Sequence, residues 1–128
     1  MSSGRVLVVE DNERNMELVR AVLEHAGYEV RAAGTAEEGV TDAVRDPPDL
    51  VLMDLQLPGQ DGVSGLHALR ADPATRDVPV VALTALAMPE DRARVEGAGF
   101  DGYWEKPISV RDLPHQVHAA IDRGRQTT

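Results

Sequence analysis

The chain has no cysteine, which excludes a disulfide framework, thiolate metal sites and thiol nucleophiles. Aromatic residues make up only 3%, so valine, leucine and alanine must fill any core. No apolar run approaches the roughly 20 residues of a membrane span. Met1-Ser2-Ser3-Gly4-Arg5 leads directly into an apolar stretch without a signal-peptide hydrophobic region. These absences point to a cytoplasmic protein with no membrane association. The formal net charge is −9, and no run of Lys and Arg builds a basic stripe, so direct nucleic-acid binding is not expected. Internal repeats, linkers and low-complexity tracts are missing as well. Lysine is nearly missing: of 13 basic residues all but Lys106 are arginine. What remains is 128 residues with 42% hydrophobic content, which reads as a single globular domain over 1–128 with its core from about residue 5 to 121.

The chain is organised around Leu50-Val51-Leu52-Met53-Asp54, where four apolar residues run into an acid. An unbroken run of this kind suits a strand buried on both faces of a parallel sheet. Val6-Leu7-Val8-Val9 ends likewise in Glu10-Asp11, and Val80-Val81-Ala82-Leu83 ends in Thr84. In open α/β sheets, ligands bind outside the carboxyl ends of the strands. A single acid at a strand end is ordinary surface chemistry; three strand ends carrying Glu10, Asp11, Asp54 and Thr84 read as one site.

In chain order, Arg5–Val9 is the first strand, and Asp11 or Asn12 caps the helix that follows. Met16, Val19, Leu23 and Ala26 give that helix a core face, and Gly27 suits the position after its end. Tyr28 to Ala32 alternates and is short, as an edge strand would be. Thr35-Ala36-Glu37-Glu38 matches a capping box for a second helix, which stops before Pro47-Pro48. The third strand ends at Asp54, and residues 55–62 form a loop. Val63, Leu66 and Leu69 mark a third helix ending near Asp72-Pro73. The fourth strand covers 78–83, and Pro89 opens a fourth helix ended by Gly97 and Gly99. Gly102 to Glu105 is the fifth strand. From Ser109 the last helix turns Val110, Leu113, Val117, Ala120 and Ile121 inward. Five alternations of strand and helix mean right-handed βαβ units, with a parallel sheet and helices on both faces.

Carboxylates held together at one site raise each other's pKa, and a divalent cation relieves the repulsion. Mg²⁺ suits hard oxygen ligands. An aspartate can also act as a nucleophile towards phosphorus, giving an acyl phosphate. The phosphoryl oxygens then need a hydroxyl, which Thr84 offers, and a cation, which Lys106 offers. A chain that uses arginine elsewhere keeps its single lysine at the end of the fifth strand, where a compact ammonium is not interchangeable with a planar guanidinium. A cis Lys106–Pro107 bond would turn the loop sharply and aim the lysine, although trans is the commoner isomer.

Val9-Glu10-Asp11-Asn12, Leu52-Met53-Asp54, Leu57-Pro58-Gly59, Leu83-Thr84-Ala85 and Lys106-Pro107 together resemble the CheY-like receiver domain of two-component response regulators, over about Arg5 to Ile121. Asn12, Asn15-Met16, Ala87-Met88 and residues 106–110 are most similar to the single-domain, cell-division (DivK-like) type and to receivers of hybrid histidine kinases. The resemblance implies a flavodoxin-like (βα)5 fold with strand order 2-1-3-4-5. It implies a switch rather than an enzyme, catalysing at most its own phosphotransfer and dephosphorylation. Asp54 would accept phosphate from a sensor histidine kinase or a histidine phosphotransfer protein. Glu10, Asp11, Asp54 and the Gln56 backbone carbonyl would hold Mg²⁺. Thr84 and Lys106 would bind the phosphoryl oxygens. Tyr103 would swing inward when Thr84 moves, changing the face of the fourth helix, fifth strand and fifth helix that a downstream effector protein reads by contact. A monomer or weak homodimer is implied. Glu10 stands where many members have Asp. Pro114 fits only in the first turn of the last helix, with the cap at Val110–Asp112.

Two other classes compete. A Mg²⁺-dependent aspartyl-phosphate phosphatase would want a second acid two residues after the nucleophile, where Gln56 stands. A flavin-binding module of the same fold would want a Ser/Thr/Gly-rich phosphate loop after the first strand, where acids stand and would repel phosphate.

Overall fold

The structure, a computed structural model, describes residues 4–55, 62–85 and 89–126. Five strands alternate with five helices: β1 (Arg5–Val9), α1 (Glu13–His25), β2 (Glu29–Ala33), α2 (Ala36–Arg45), β3 (Leu50–Asp54), α3 (Gly62–Ala71), β4 (Val80–Thr84), α4 (Pro89–Ala98), β5 (Gly102–Glu105) and α5 (Leu113–Gln126). All pairings are parallel and the order is β2-β1-β3-β4-β5, as the resemblance implies.

Successive strand residues point to opposite faces, and the two faces carry separate cores. Val6, Val8, Leu50, Leu52, Val81 and Leu83 meet Val19 and Leu23 of α1 and Leu113, Val117, Ala120 and Ile121 of α5. On the other face Leu7, Val9, Val51, Met53 and Val80 meet Ala36 and Ala43 of α2 and Leu66 and Leu69 of α3. A third, smaller cluster of Leu55, Ala82 and Val95 seats α4, with Tyr103 packed on its margin. β1, β3 and β4 are thus covered on both sides, which is why they read as continuous apolar runs.

Local signals set the helix ends. The Asn12 side chain, rather than Asp11, caps α1, accepting from the Asn15 N–H at 3.0 Å. Thr35 Oγ1 accepts from the Glu38 N–H at 3.1 Å, while Glu38 Oε2 reaches back to the Gly34 N–H at 3.3 Å. The capping box is therefore one residue longer than the usual reciprocal pair. Pro114 is the second residue of α5, in its first turn, where its missing N–H costs no helical bond.

The structure departs from the sequence pattern at several points: β2 lies one residue later, at Glu29–Ala33, and α5 begins at Leu113 rather than Ser109. β4 begins at Val80 rather than Val78, because the Val78 carbonyl is taken by the Arg70 guanidinium at 2.7 Å. Gly97 lies inside α4, and Gly99, at φ 105°, is the residue that ends it. Val110 sits in the turn before α5 and is half exposed rather than inward. The Lys106–Pro107 bond is cis; the intrinsic preference for trans is only about 0.5–1 kcal/mol, small enough for tertiary contacts to override.

Candidate functional site

The carboxyl ends of β1, β3, β4 and β5 meet at one edge of the sheet. Glu10 follows β1 and is buried, and Asp54 closes β3 with only 2% of its surface exposed. Asp11 is the exposed member of the trio. Each of Glu10, Asp11 and Asp54 offers a carboxylate oxygen, and these oxygens lie within 4.8 Å of one another. Among the described residues this is the one cluster of potential metal-binding side chains.

Lys106 reaches into the same place from the end of β5. Its Nζ donates to Glu10 Oε2 at 2.9 Å and to Asp54 Oδ2 at 2.8 Å. The backbone fixes the lysine's origin, since the Lys106 N–H donates to the Thr84 carbonyl at 2.8 Å. Thr84 is the last residue of β4, wholly buried, and stands opposite Glu105. Asp54 stands opposite Leu83, and the Leu55 N–H donates to the Leu83 carbonyl at 3.0 Å. β3, β4 and β5 thus deliver Asp54, Thr84 and Lys106 in adjacent registers.

The electrostatics follow from burial and close charge. Burial pushes the Glu10 carboxyl above the ordinary carboxylate value; the hydrogen bond from Lys106 pulls it back, and Asp54 adds to the rise. Burial works against the charged form of Lys106, but its bonds to Asp54 and Glu10 outweigh that and hold its pKa above the ordinary lysine value. The lysine is therefore a fixed cation at neutral pH. The donor set fits a hard divalent cation: all-oxygen, clustered, and including one carboxylate whose ionisation is opposed by burial.

Two contacts here carried no signal in the sequence. Glu10 Oε1 accepts from the Asn12 N–H at 3.2 Å, coupling the acid to the start of α1. A Cβ at Gly62, the first residue of α3, would stand 2.6 Å from the Asp54 carbonyl oxygen, so this helix closes on β3 only with glycine there. Tyr103 lies in β5 between Ala82 of β4 and α4, and the Arg92 guanidinium carbon lies 5.6 Å from its ring centroid. The Gln56 carbonyl, the 57–59 loop and Ala87-Met88 lie outside the described residues.

No helix among the described residues is long and apolar enough to cross a membrane. Residues 6–118 match the response regulator receiver domain family. The polar-differentiation response regulator DivK of Brucella ovis is 43% identical over 105 residues, covering 82% of this chain and 85% of that protein. Among solved structures, the receiver domain of a Pseudomonas aeruginosa sensor histidine kinase, with a magnesium ion coordinated in its active-site cleft, superposes with a TM-score of 0.87 at 35% identity, covering 94% of this chain and 99% of its own. A response regulator from Chloroflexus aurantiacus gives a TM-score of 0.88 at 32% identity over 94% of this chain and 98% of its own. Two-component signalling is the context these likenesses share, and the chain belongs to the response regulator receiver domain family.

Proposed function

We propose that this receiver is a signalling switch in which Asp54 is the phosphoacceptor. The observation that carries the reading is the position of Lys106, whose ammonium bridges Asp54 and Glu10 at 2.8 and 2.9 Å inside a three-carboxylate pocket. An Asp54 carboxylate oxygen attacks the phosphorus of a phosphohistidine. The P–N bond breaks, the imidazole nitrogen takes up a proton, and an acyl phosphate remains on Asp54. The donor is a sensor histidine kinase or a histidine phosphotransfer protein.

Glu10, Asp11 and Asp54, with the Gln56 carbonyl, would hold Mg²⁺. When bound, the ion supplies positive charge that lets a phosphoryl group approach a carboxylate cluster. Lys106 supplies the fixed cation, ready to move from the carboxylates to a phosphoryl oxygen. Thr84 supplies a hydroxyl to another oxygen and, by moving, gives Tyr103 room to turn inward. That turn changes the α4–β5–α5 face, which an effector protein reads. The protein acts in the cytoplasm, together with its phosphodonor.

Acetyl phosphate with Mg²⁺ is expected to add one phosphate by intact mass, labile to hydroxylamine, in the wild type and none in Asp54→Asn. Persistence of the added mass in Asp54→Asn would move the acceptor elsewhere.

A further inference from the structure

We infer that Gly62 is a positioning residue for the phosphoacceptor: lacking a side chain, it lets α3 fix the peptide that follows Asp54, and with it the place from which the carboxylate acts. The inference rests on the proposed role of Asp54. A Cβ at Gly62 would stand 2.6 Å from the Asp54 carbonyl oxygen, 3.0 Å from Leu55 Cα and 3.2 Å from Leu55 Cδ2. The two nearest are backbone atoms, which cannot rotate aside as the end of a side chain can. The local conformation does not itself call for glycine. Among the described glycines positive φ is confined to Gly4, Gly27 and Gly99, so any residue could adopt the backbone at Gly62. Alanine would also be the better helix former. What glycine provides at this buried position is space.

The peptide unit between Asp54 and Leu55 is held from two sides. Its N–H donates to the Leu83 carbonyl of β4 at 3.0 Å, and its carbonyl oxygen lies against Gly62. The Gly62 N–H in turn donates to the Leu55 carbonyl at 3.5 Å, tying the start of α3 to the end of β3. The Asp54 side chain leaves from the α-carbon next to this peptide, and its Oδ2 meets Lys106 Nζ at 2.8 Å. An added carbon at residue 62 must displace the peptide or lift α3 away from it. Moving the peptide carries the α-carbon and the carboxylate with it. Reacting groups have to be held within about 0.5 Å of their productive geometry, and a misplacement of about 1 Å costs about a hundredfold in rate. A displacement of a few tenths of an ångström thus corresponds to about a tenfold loss.

The test follows phosphate addition to the whole chain by intact mass, at saturating acetyl phosphate and Mg²⁺ and at a temperature where circular dichroism shows each variant folded. The rate in folded protein separates positioning from stability. Gly62→Ala is expected to react about tenfold more slowly than the wild type. Gly65→Ala is the control on the same helix. Its added carbon meets side-chain atoms, Met53 Cε at 3.0 Å and Ala36 Cβ at 3.3 Å, so it crowds α3 without pressing on the backbone of β3. It should keep the wild-type rate whatever happens to its melting temperature. If Gly62→Ala matches the wild-type rate, the positioning role is wrong while Asp54 stands as the acceptor. If Gly65→Ala is slowed as much, the loss comes from the seating of α3 and the role is again wrong. If Gly62→Ala does not fold, it is combined with Gly97→Ala, a stabilising change in open space, and the rate is compared with that of Gly97→Ala alone. A chain still unfolded there would make Gly62 a requirement of the fold and overturn the positioning role. Phosphate added to Asp54→Asn would sink the acceptor reading and this inference with it.

Discussion

At the ends of β4 and β5, Thr84 and Lys106 are joined by a 2.8 Å backbone hydrogen bond, yet the proposed switch gives their side chains different purposes. Lys106 meets the two buried acids directly, so in the proposed switch it belongs to the phosphate chemistry itself. Thr84 is uncharged and buried, and in the proposed switch it converts an occupied Asp54 into a displacement. Trp104 can report the difference. It stands opposite Leu83, which precedes Thr84, and Glu105 alone separates it from Lys106; it packs against the core on the α1–α5 side, away from the Tyr103 cluster. Its emission therefore follows the strand rather than the tyrosine ring. Beryllofluoride with Mg²⁺ is expected to change Trp104 emission in the wild type. Thr84→Ala should still bind the mimic with a much smaller change. Lys106→Arg should bind it about tenfold more weakly or worse, since a planar fork replaces a point charge between two carboxylates, and tenfold is only about 1.4 kcal/mol. A full wild-type response in Thr84→Ala would remove threonine from the coupling without touching Asp54.

Among the elements, α4 is the one whose sequence least supports it. It carries a glycine in its interior, Gly97, and a Cβ built there meets nothing within 4 Å. Gly97→Ala is therefore expected to stabilise the domain by about 0.5–1 kcal/mol, because alanine loses less freedom in a helix. Gly99→Ala should do the reverse, since φ 105° is strained for any side chain. Thermal melts of the two variants moving in the same direction would contradict this assignment of the helix end. The same helix shows where legibility in the sequence stopped. Two glycines two residues apart both look like stops, and the choice between them depends on how α4 lies on Val95. Val110 misled for a related reason: it continues the apolar spacing of α5, but Pro114 belongs to the first turn, so Val110 precedes the helix. By contrast β1, β3 and β4, buried on both faces, announce themselves as apolar runs. The acids that end β1 and β3 are legible as site residues because the runs stop at them. Lys106 stands out through composition alone. Arg92 had no such signal, because an exposed arginine on a polar helix acquires a neighbour only through tertiary packing.

For the molecule as a whole, the site is a destabilising element placed on a well-packed sheet. Glu10 is buried and its carboxyl is held above the ordinary range. A group whose folded pKa is raised contributes stability below its unfolded pKa and loses it as pH rises through the folded value. At neutral pH, then, the ionised cluster works against the fold. Lys106 offsets part of this with one charge shared between two acids. A cation bound only by the folded state adds RT ln(1 + [L]/Kd), about 1.4 kcal/mol at ten times Kd, or a few degrees for a domain of this size. Millimolar Mg²⁺ is therefore expected to raise the melting temperature of the wild type by a few degrees, and by clearly less in Asp11→Ala. Asp11 is the suitable residue to remove because it is exposed, so its loss leaves no cavity or unpaired buried charge. Protons and metal compete for the same carboxylates, and the raised Glu10 value brings that competition towards neutrality. The Mg²⁺ effect should accordingly shrink as the pH is lowered from neutrality towards the carboxylate range. Equal Mg²⁺ shifts in wild type and Asp11→Ala would place the ion elsewhere, and a shift independent of pH would show that these carboxylates are not what it meets.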